Sequence, residues 1–211
     1  MTKMSIKDYL IIILVAVCTF LCYKTQTKSC NHVIKYNLDY QIESELKYFE
    51  TKSKLVSAVQ SYMESVAPTT NIRAYELVDL CDKYAVDLKF VIAQAEIESS
   101  FGTKGLAAKT RSIFNVGAFD GHNYHNIKSK YKYSHPNASI EPYLKLLNDK
   151  YLVDKLEFDL LNEFVDKNGN RYASDENYEE KLKAKYMFIT NNTPIDSLQK
   201  LLVHYAIKCN R

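Results

Sequence analysis

The stretch from Lys89 to Asp120, KFVIAQAEIESSFGTKGLAAKTRSIFNVGAFD, holds carboxylates and glycines at spacings that suit chemistry. Asp87 stands where an N-cap belongs, and Gly102 and Gly105 follow the last periodic residue. The pattern predicts a short helix that ends near Glu98. On that helix Val91, Gln94, Ala95 and Glu98 share one face, the first three lying seven, four and three residues before Glu98. The face is mostly apolar, so it carries Glu98 toward an interior or a cleft wall. Glu96 points roughly 200° away, since each residue turns about 100°, and the two acids cannot share a task. A half-buried carboxyl in the last helical turn also feels the negative end of the helix, and both influences raise its pKa. That is the property of a general acid working near neutrality. The plainer alternative is an ordinary solvated carboxylate at a helix end.

These residues carry a resemblance. AQAEIES-SFG, followed by SIFNVG, resembles the AQA-x-LES-GWG … NLFG signature of the glucosaminidase family of peptidoglycan hydrolases, glycoside hydrolase family 73. Two further blocks stand in the family's order. YKYSHPNASIEPYLKLL (131–147) is similar to its F-R-x-Y … S-x-x-D-Y segment, and RYASDENYEEKLKAKY (171–186) to its Y-A-T-D-x-x-Y-x-x-K-L segment. Together the blocks cover roughly residues 72–190. The wording FGTKGLAAKT … FNVGAFDG looks most like the phage-encoded branch. The resemblance implies a lysozyme-like fold, bacterial peptidoglycan as substrate, the catalytic acid at Glu98, and cleft-lining roles for Tyr133 and Tyr178. Ser100 and Phe101 replace the family's usual Gly-Trp, and Asn115 stands near the place of its FG glycine.

Cleaving a β-1,4 glycosidic bond requires protonation of the leaving oxygen while positive charge builds on the sugar ring. Glu98 would supply the proton. A second carboxylate would activate water or hold the cation, and Asp120 and Glu141 are the candidates. Alternatively the substrate's own acetamido group, or a water held by tyrosine, does that work. With seventeen tyrosines and no tryptophan, sugar stacking falls to Tyr and Phe. Phe101, Phe114 and Tyr124 are expected to contribute beside Tyr133 and Tyr178.

The remaining elements must place this stretch. Leu10 to Cys22 is an uncharged apolar run between Tyr9 and Tyr23, with Lys3 and Lys7 before it and Lys24 and Lys28 after. It is short for a span of about 20 residues, and no small-x-small cleavage site follows it. Residues 9–23 are read as an uncleaved membrane anchor within a segment 1–30, with a signal-peptide core or a buried helix as alternatives. Residues 31–67 read as a helical stalk with Ile42, Leu46, Phe49, Val56 and Met63 at helical spacing. That stripe suits docking on the domain or self-association with a second copy. Ala67-Pro68-Thr69-Thr70-Asn71 is the clearest linker signal, and the catalytic domain is placed at 68–211.

Within that domain, helices are expected over 72–84, from Ser139 through Leu147, over 156–164, over 175–188 behind a Ser174 cap, and from Pro194 on. Gly121 to Pro136, polar, basic and aromatic, reads as a β-hairpin or loop walling a saccharide cleft. The fold expected is thus mainly α: a lysozyme-like α+β domain with a small β-hairpin, behind a stalk and an N-terminal transmembrane or signal segment.

Several classes are set aside. A formal charge of +3 and a short basic track argue against nucleic acid. His122-x-x-His125 with Asp120 and His135 lacks the helical frame or cysteines of a metal site. No cofactor is called for. Cys81 reads as a buried thiol, and no His and Asn motif accompanies a cysteine nucleophile. What remains is an endo-β-N-acetylglucosaminidase facing the cell wall, anchored or exported, in the setting of phage-induced lysis. A lytic transglycosylase or muramidase of the same fold is the near alternative. A non-catalytic wall-binding module of a virion or envelope is the distant one.

Overall fold

A computed structural model describes residues 6–118 and 121–209; between residues 6 and 37, side chains are described for Leu14, Val17, Thr19 and Lys24. Among the described residues the chain is mainly helical, with eight α-helices and no strand. It divides into two compact units, one holding the chain up to Phe49 with that from His204 on, the other Glu50–Val203.

The first helix, α1 (Ile6–Val66), belongs in part to each unit. It ends where Pro68 interrupts the hydrogen-bond ladder, and Ala67 N–H still donates to Met63 O at 2.8 Å. In the first unit Leu38, Ile42, Leu46 and Phe49 are all at least half exposed, so the N-terminal part of the expected stripe stands in water, whereas Met63 at its other end is buried. In the second unit the helix buries Thr51, Leu55, Val59, Tyr62 and Met63, which recur three or four residues apart. The buried face therefore shares Met63 with the expected stripe and otherwise runs beside it. It uses a threonine and a tyrosine that make contacts, where the exposed stripe uses larger aliphatics. No helix among the described residues is long and apolar enough to cross a membrane. The run proposed for that role lies mostly outside the described side chains; Leu14 and Val17 within it are exposed.

The second unit is built around α3 (Leu88–Ser99), with α2 (Ala74–Tyr84) before it. Asp87 caps α3 as expected, its side chain accepting from Lys89 N–H at 2.9 Å. Phe90, Val91, Ile92, Ala93 and Ala95 are fully buried, so α3 is covered on nearly every side. Its largest neighbour is α7 (Tyr178–Asn192). Lys89, itself buried, ties the start of α3 to Asp196 at 2.7 Å on α8 (Ile195–Lys208). Between these lie the single turn α4 (Ala107–Thr110), α5 (Ile140–Leu146) continuing as a π-helical turn over Leu147–Tyr151, and α6 (Glu157–Leu160).

Of the hairpin or loop expected at 121–136 the structure has the loop, and two helix bounds are corrected. Residues 121–136 form turns and one 3-10 turn at Ser129–Tyr131, without a strand ladder. The β feature lies elsewhere: Val165 and Arg171 form an isolated antiparallel bridge around Asn168-Gly169-Asn170. There Asp166 accepts from the backbone N–H of Asn168 and of Asn170, which folds the chain back and ends the helix expected through Phe164 at Leu160. The helix expected from Asp175 starts at Tyr178, because Asp175 accepts from Asn177 N–H and turns the chain first.

Candidate active site

Glu98 sits in the last turn of α3, partly exposed at the wall of a cleft of about 940 Å³. The helix stops directly behind it. Ser100 N–H donates to Glu96 O at 2.8 Å and Phe101 N–H to Ala95 O at 3.0 Å, a closing pattern that needs left-handed backbone. Glycine is the usual occupant, yet here Ser100 (φ 45°) and Phe101 (φ 56°) take that conformation, and Gly102 (φ 80°) follows. The reversal sends the chain through α4 and back under Glu98 at Phe114-Asn115-Val116-Gly117.

Asn115 was not singled out as a site residue from the sequence, and its geometry explains why it matters. Its φ of 49° aims the side chain back at α3. The amide nitrogen Nδ2 donates to Glu98 O at 2.6 Å and to Glu98 Oε2 at 3.2 Å. Both partners are acceptors, which fixes the orientation of the amide. The other carboxyl oxygen, Oε1, accepts from the Tyr178 hydroxyl at 2.6 Å. Tyr178 in turn accepts from Gln94 Nε2 at 3.1 Å, and Gln94 Oε1 accepts from the Tyr143 hydroxyl. Gln94 is one turn before Glu98 on the same face of α3, so the periodicity that points Glu98 inward also delivers its support.

Burial pushes the Glu98 carboxyl above the usual carboxylate range, against the opposing pull of the hydrogen bonds from Tyr178 and Asn115. Burial also holds the Tyr143, Tyr172 and Tyr178 phenols well above their ordinary value, so they serve as neutral donors. Tyr172, absent from the expected set, donates to Phe114 O at 2.9 Å and stacks on Phe164 with centroids 4.5 Å apart. Gly117 permits the rim to close: a Cβ there would lie 2.1 Å from the ring of Tyr131.

The expected residues divide. Glu98, Tyr178 and Phe114 line the cleft. The Phe114 ring, however, is buried and stacked on Tyr143 at 3.6 Å, so it forms floor and offers no stacking face. Phe101, expected as a sugar platform, is turned by the left-handed backbone into the core against Tyr62. Glu141, expected as second carboxylate, is held elsewhere. It faces α2, where Lys83 at 2.8 Å and Tyr84 at 2.6 Å hold it down to about 2, and it is not among the described cleft residues. Tyr133, half-buried beside Thr110 O, and Tyr124, exposed beneath the Lys132 ammonium, likewise lie outside the described lining. Asp120 lies outside the described residues. A carboxylate missed from the sequence does line the cleft: Asp175, kept below its ordinary range by Lys181 and the Asn177 N–H.

Glu98, whose carboxyl burial raises, and Asp175, held below its ordinary range, line one cleft with the phenols of Tyr151, Tyr172 and Tyr178. The class is that of a glycosidase. A sequence profile described as "Glucosaminidase: Mannosyl-glycoprotein endo-beta-N-acetylglucosaminidase" matches residues 74–190, and the chain belongs to this family of peptidoglycan-directed endo-β-N-acetylglucosaminidases. No curated protein and no solved structure matches the chain.

Proposed function

We propose that this protein cleaves the β-1,4 glycosidic bond after N-acetylglucosamine in bacterial peptidoglycan, with Glu98 as general acid. The observation that carries the proposal is the Glu98 carboxyl, protonation-favoured by burial and presented to the cleft by Tyr178 and Asn115. Protonated Glu98 donates to the glycosidic oxygen as the bond to the sugar lengthens. Asp175, already ionised, offsets the charge on the ring, or the substrate's acetamido group closes on the anomeric carbon and Asp175 orients it; in either route a water then adds to the anomeric carbon and gives its proton back to the Glu98 carboxylate. Tyr178 keeps Glu98 in place while its proton leaves and returns.

The chain-level setting belongs to the same proposal. The uncharged run Leu10–Cys22, bracketed by Tyr9 and Tyr23, supports a membrane anchor with the enzyme on the wall side. The resemblance of residues 101–121 to phage sequences supports a role in host lysis.

The test is turbidity loss of purified peptidoglycan by the full chain in mild detergent, wild type beside Glu98→Gln, with analysis of the released ends. Clearing by wild type alone, with new reducing N-acetylglucosamine ends, is the expected result. Anhydro-muramic ends would make it a lytic transglycosylase. Equal clearing by both forms would remove Glu98 from the chemistry, and pelleting with the wall without clearing would leave a binding module.

A further inference from the structure

The wall of the cleft formed after α5 carries a feature that proton donation by Glu98 does not use. Beyond Leu146 the helix widens into the π-helical turn Leu147–Tyr151, closed by Leu152 N–H donating to Leu147 O at 2.9 Å. Such turns are rare and are frequent at functional sites. This one places Lys150 and Tyr151 together on the cleft wall. It is also held from behind. Lys167 N–H donates to Lys150 O at 3.1 Å, and the Tyr151 ring meets Phe164 and Tyr172 edge-on at 5.1 and 5.6 Å.

Four charged side chains line the cleft among the described residues: Glu98, Lys150, Arg171 and Asp175. Three are already engaged. Glu98 is held by Tyr178 and Asn115, Arg171 pairs with Glu179 at 2.5 Å, and Asp175 pairs with Lys181. The Lys150 ammonium has no ion-pair partner among the described residues. Asp166, whose carboxylate feels its charge, already accepts from Asn168 and Asn170. An exposed ammonium on a braced backbone, inside a cleft whose other charges are occupied, is placed to take an anion from the substrate.

We propose that Lys150 is a specificity-determining residue that binds a carboxylate carried on the glycan strand. The inference rests on the peptidoglycan reading above, since that glycan bears a lactyl carboxyl on alternate sugars, either bare or extended into a peptide with carboxylates of its own. A flexible ammonium tolerates the varied position of such a group better than a rigid fork would.

The experiment compares the full chain with Lys150→Ala and Lys150→Glu on intact peptidoglycan, on strands stripped of peptide by an amidase, and on neutral N-acetylglucosamine oligomers. The ratio of kcat/KM for acidic over neutral strands is expected to fall about three- to tenfold in Lys150→Ala and further in Lys150→Glu, through KM. A fall on stripped strands assigns the bare lactyl carboxylate, and a fall on intact wall alone assigns the peptide. An unchanged ratio, or equal losses on acidic and neutral strands, overturns the proposal. If wild type cleaves none of the three, the catalytic reading fails by itself. Binding of labelled stripped strands to wild type and to Lys150→Glu then decides this one: weaker binding by the variant upholds it, and equal binding ends it.

Discussion

A single amide nitrogen holds Glu98 at two points: Asn115 Nδ2 lies 2.6 Å from its backbone carbonyl oxygen and 3.2 Å from its carboxyl Oε2. The first contact satisfies a carbonyl that the end of α3 leaves open, and the second fixes the side chain relative to it. Asn115→Ala removes one of the two hydrogen bonds that fix the carboxyl and leaves that from Tyr178, so the carboxyl is held less firmly. A fall in kcat of about tenfold to a hundredfold, with KM changed much less, is expected. Steady-state kinetics on purified wall separates this from a loss of binding, which would appear in KM instead.

The Tyr178 hydroxyl favours the ionised form of Glu98, whereas burial disfavours it. Tyr178→Phe removes only the former, so the pKa of the acid rises further. Activity that needs protonated Glu98 is then lost at higher pH than in wild type. A pH profile of kcat/KM whose alkaline limb moves down, or not at all, would contradict this assignment of the acid.

The same burial has a consequence for stability. Glu98 titrates higher in the folded chain than its ordinary value of 4.5, so its contribution is fully present below that value and is lost as pH rises through the folded pKa. Glu98→Gln has no such loss. Thermal melts should find the variant gaining on wild type as pH rises above the ordinary carboxylate range, as active-site substitutions often do. A difference in Tm that is flat with pH would mean that Glu98 is not strained by its site.

Tyr62 on α1 donates to Glu96 Oε2 at 2.6 Å, and Lys185 on α7 holds Oε1 at 2.6 Å. Glu96, turned away from the cleft, thus binds α1 and α7 to the helix that carries Glu98. Leu55, Val59, Tyr62 and Met63 are buried in the same unit, each worth roughly 1.5–3 kcal/mol. Their sum is comparable with the whole stability of a domain of this size. A chain cut at Pro68 should therefore show no cooperative melt, while one cut at Glu50 should melt normally; Tyr62→Phe in the full chain should lower Tm by several degrees. Circular dichroism on the three proteins checks both statements.

Ser100 takes a left-handed conformation that costs an L-residue roughly 1–2 kcal/mol, and its hydroxyl has no hydrogen-bond partner among the described residues. Ser100→Gly should stabilise the chain by about 1 kcal/mol, read as a higher urea midpoint at unchanged slope. A lower midpoint would show that the hydroxyl does more than the backbone suggests.

Sequence by itself determined what repeats along the chain or touches its neighbours: the cap at Asp87, the inward face of Gln94 and Glu98, and the mainly helical build. The family motifs were equally legible, because they are contiguous words. Partners distant in sequence were not. Asn115 reaches Glu98 because three successive left-handed residues, none of them predictable as such at Ser100 and Phe101, fold the chain back beneath α3. Asp175 enters the cleft because its carboxylate delays the start of α7 by three residues. Glu141 stands outside the described lining because Lys83 and Tyr84, on a helix packed alongside, hold it there. Such outcomes turn on competition among contacts made across the fold, and only the tertiary structure decides which contact wins.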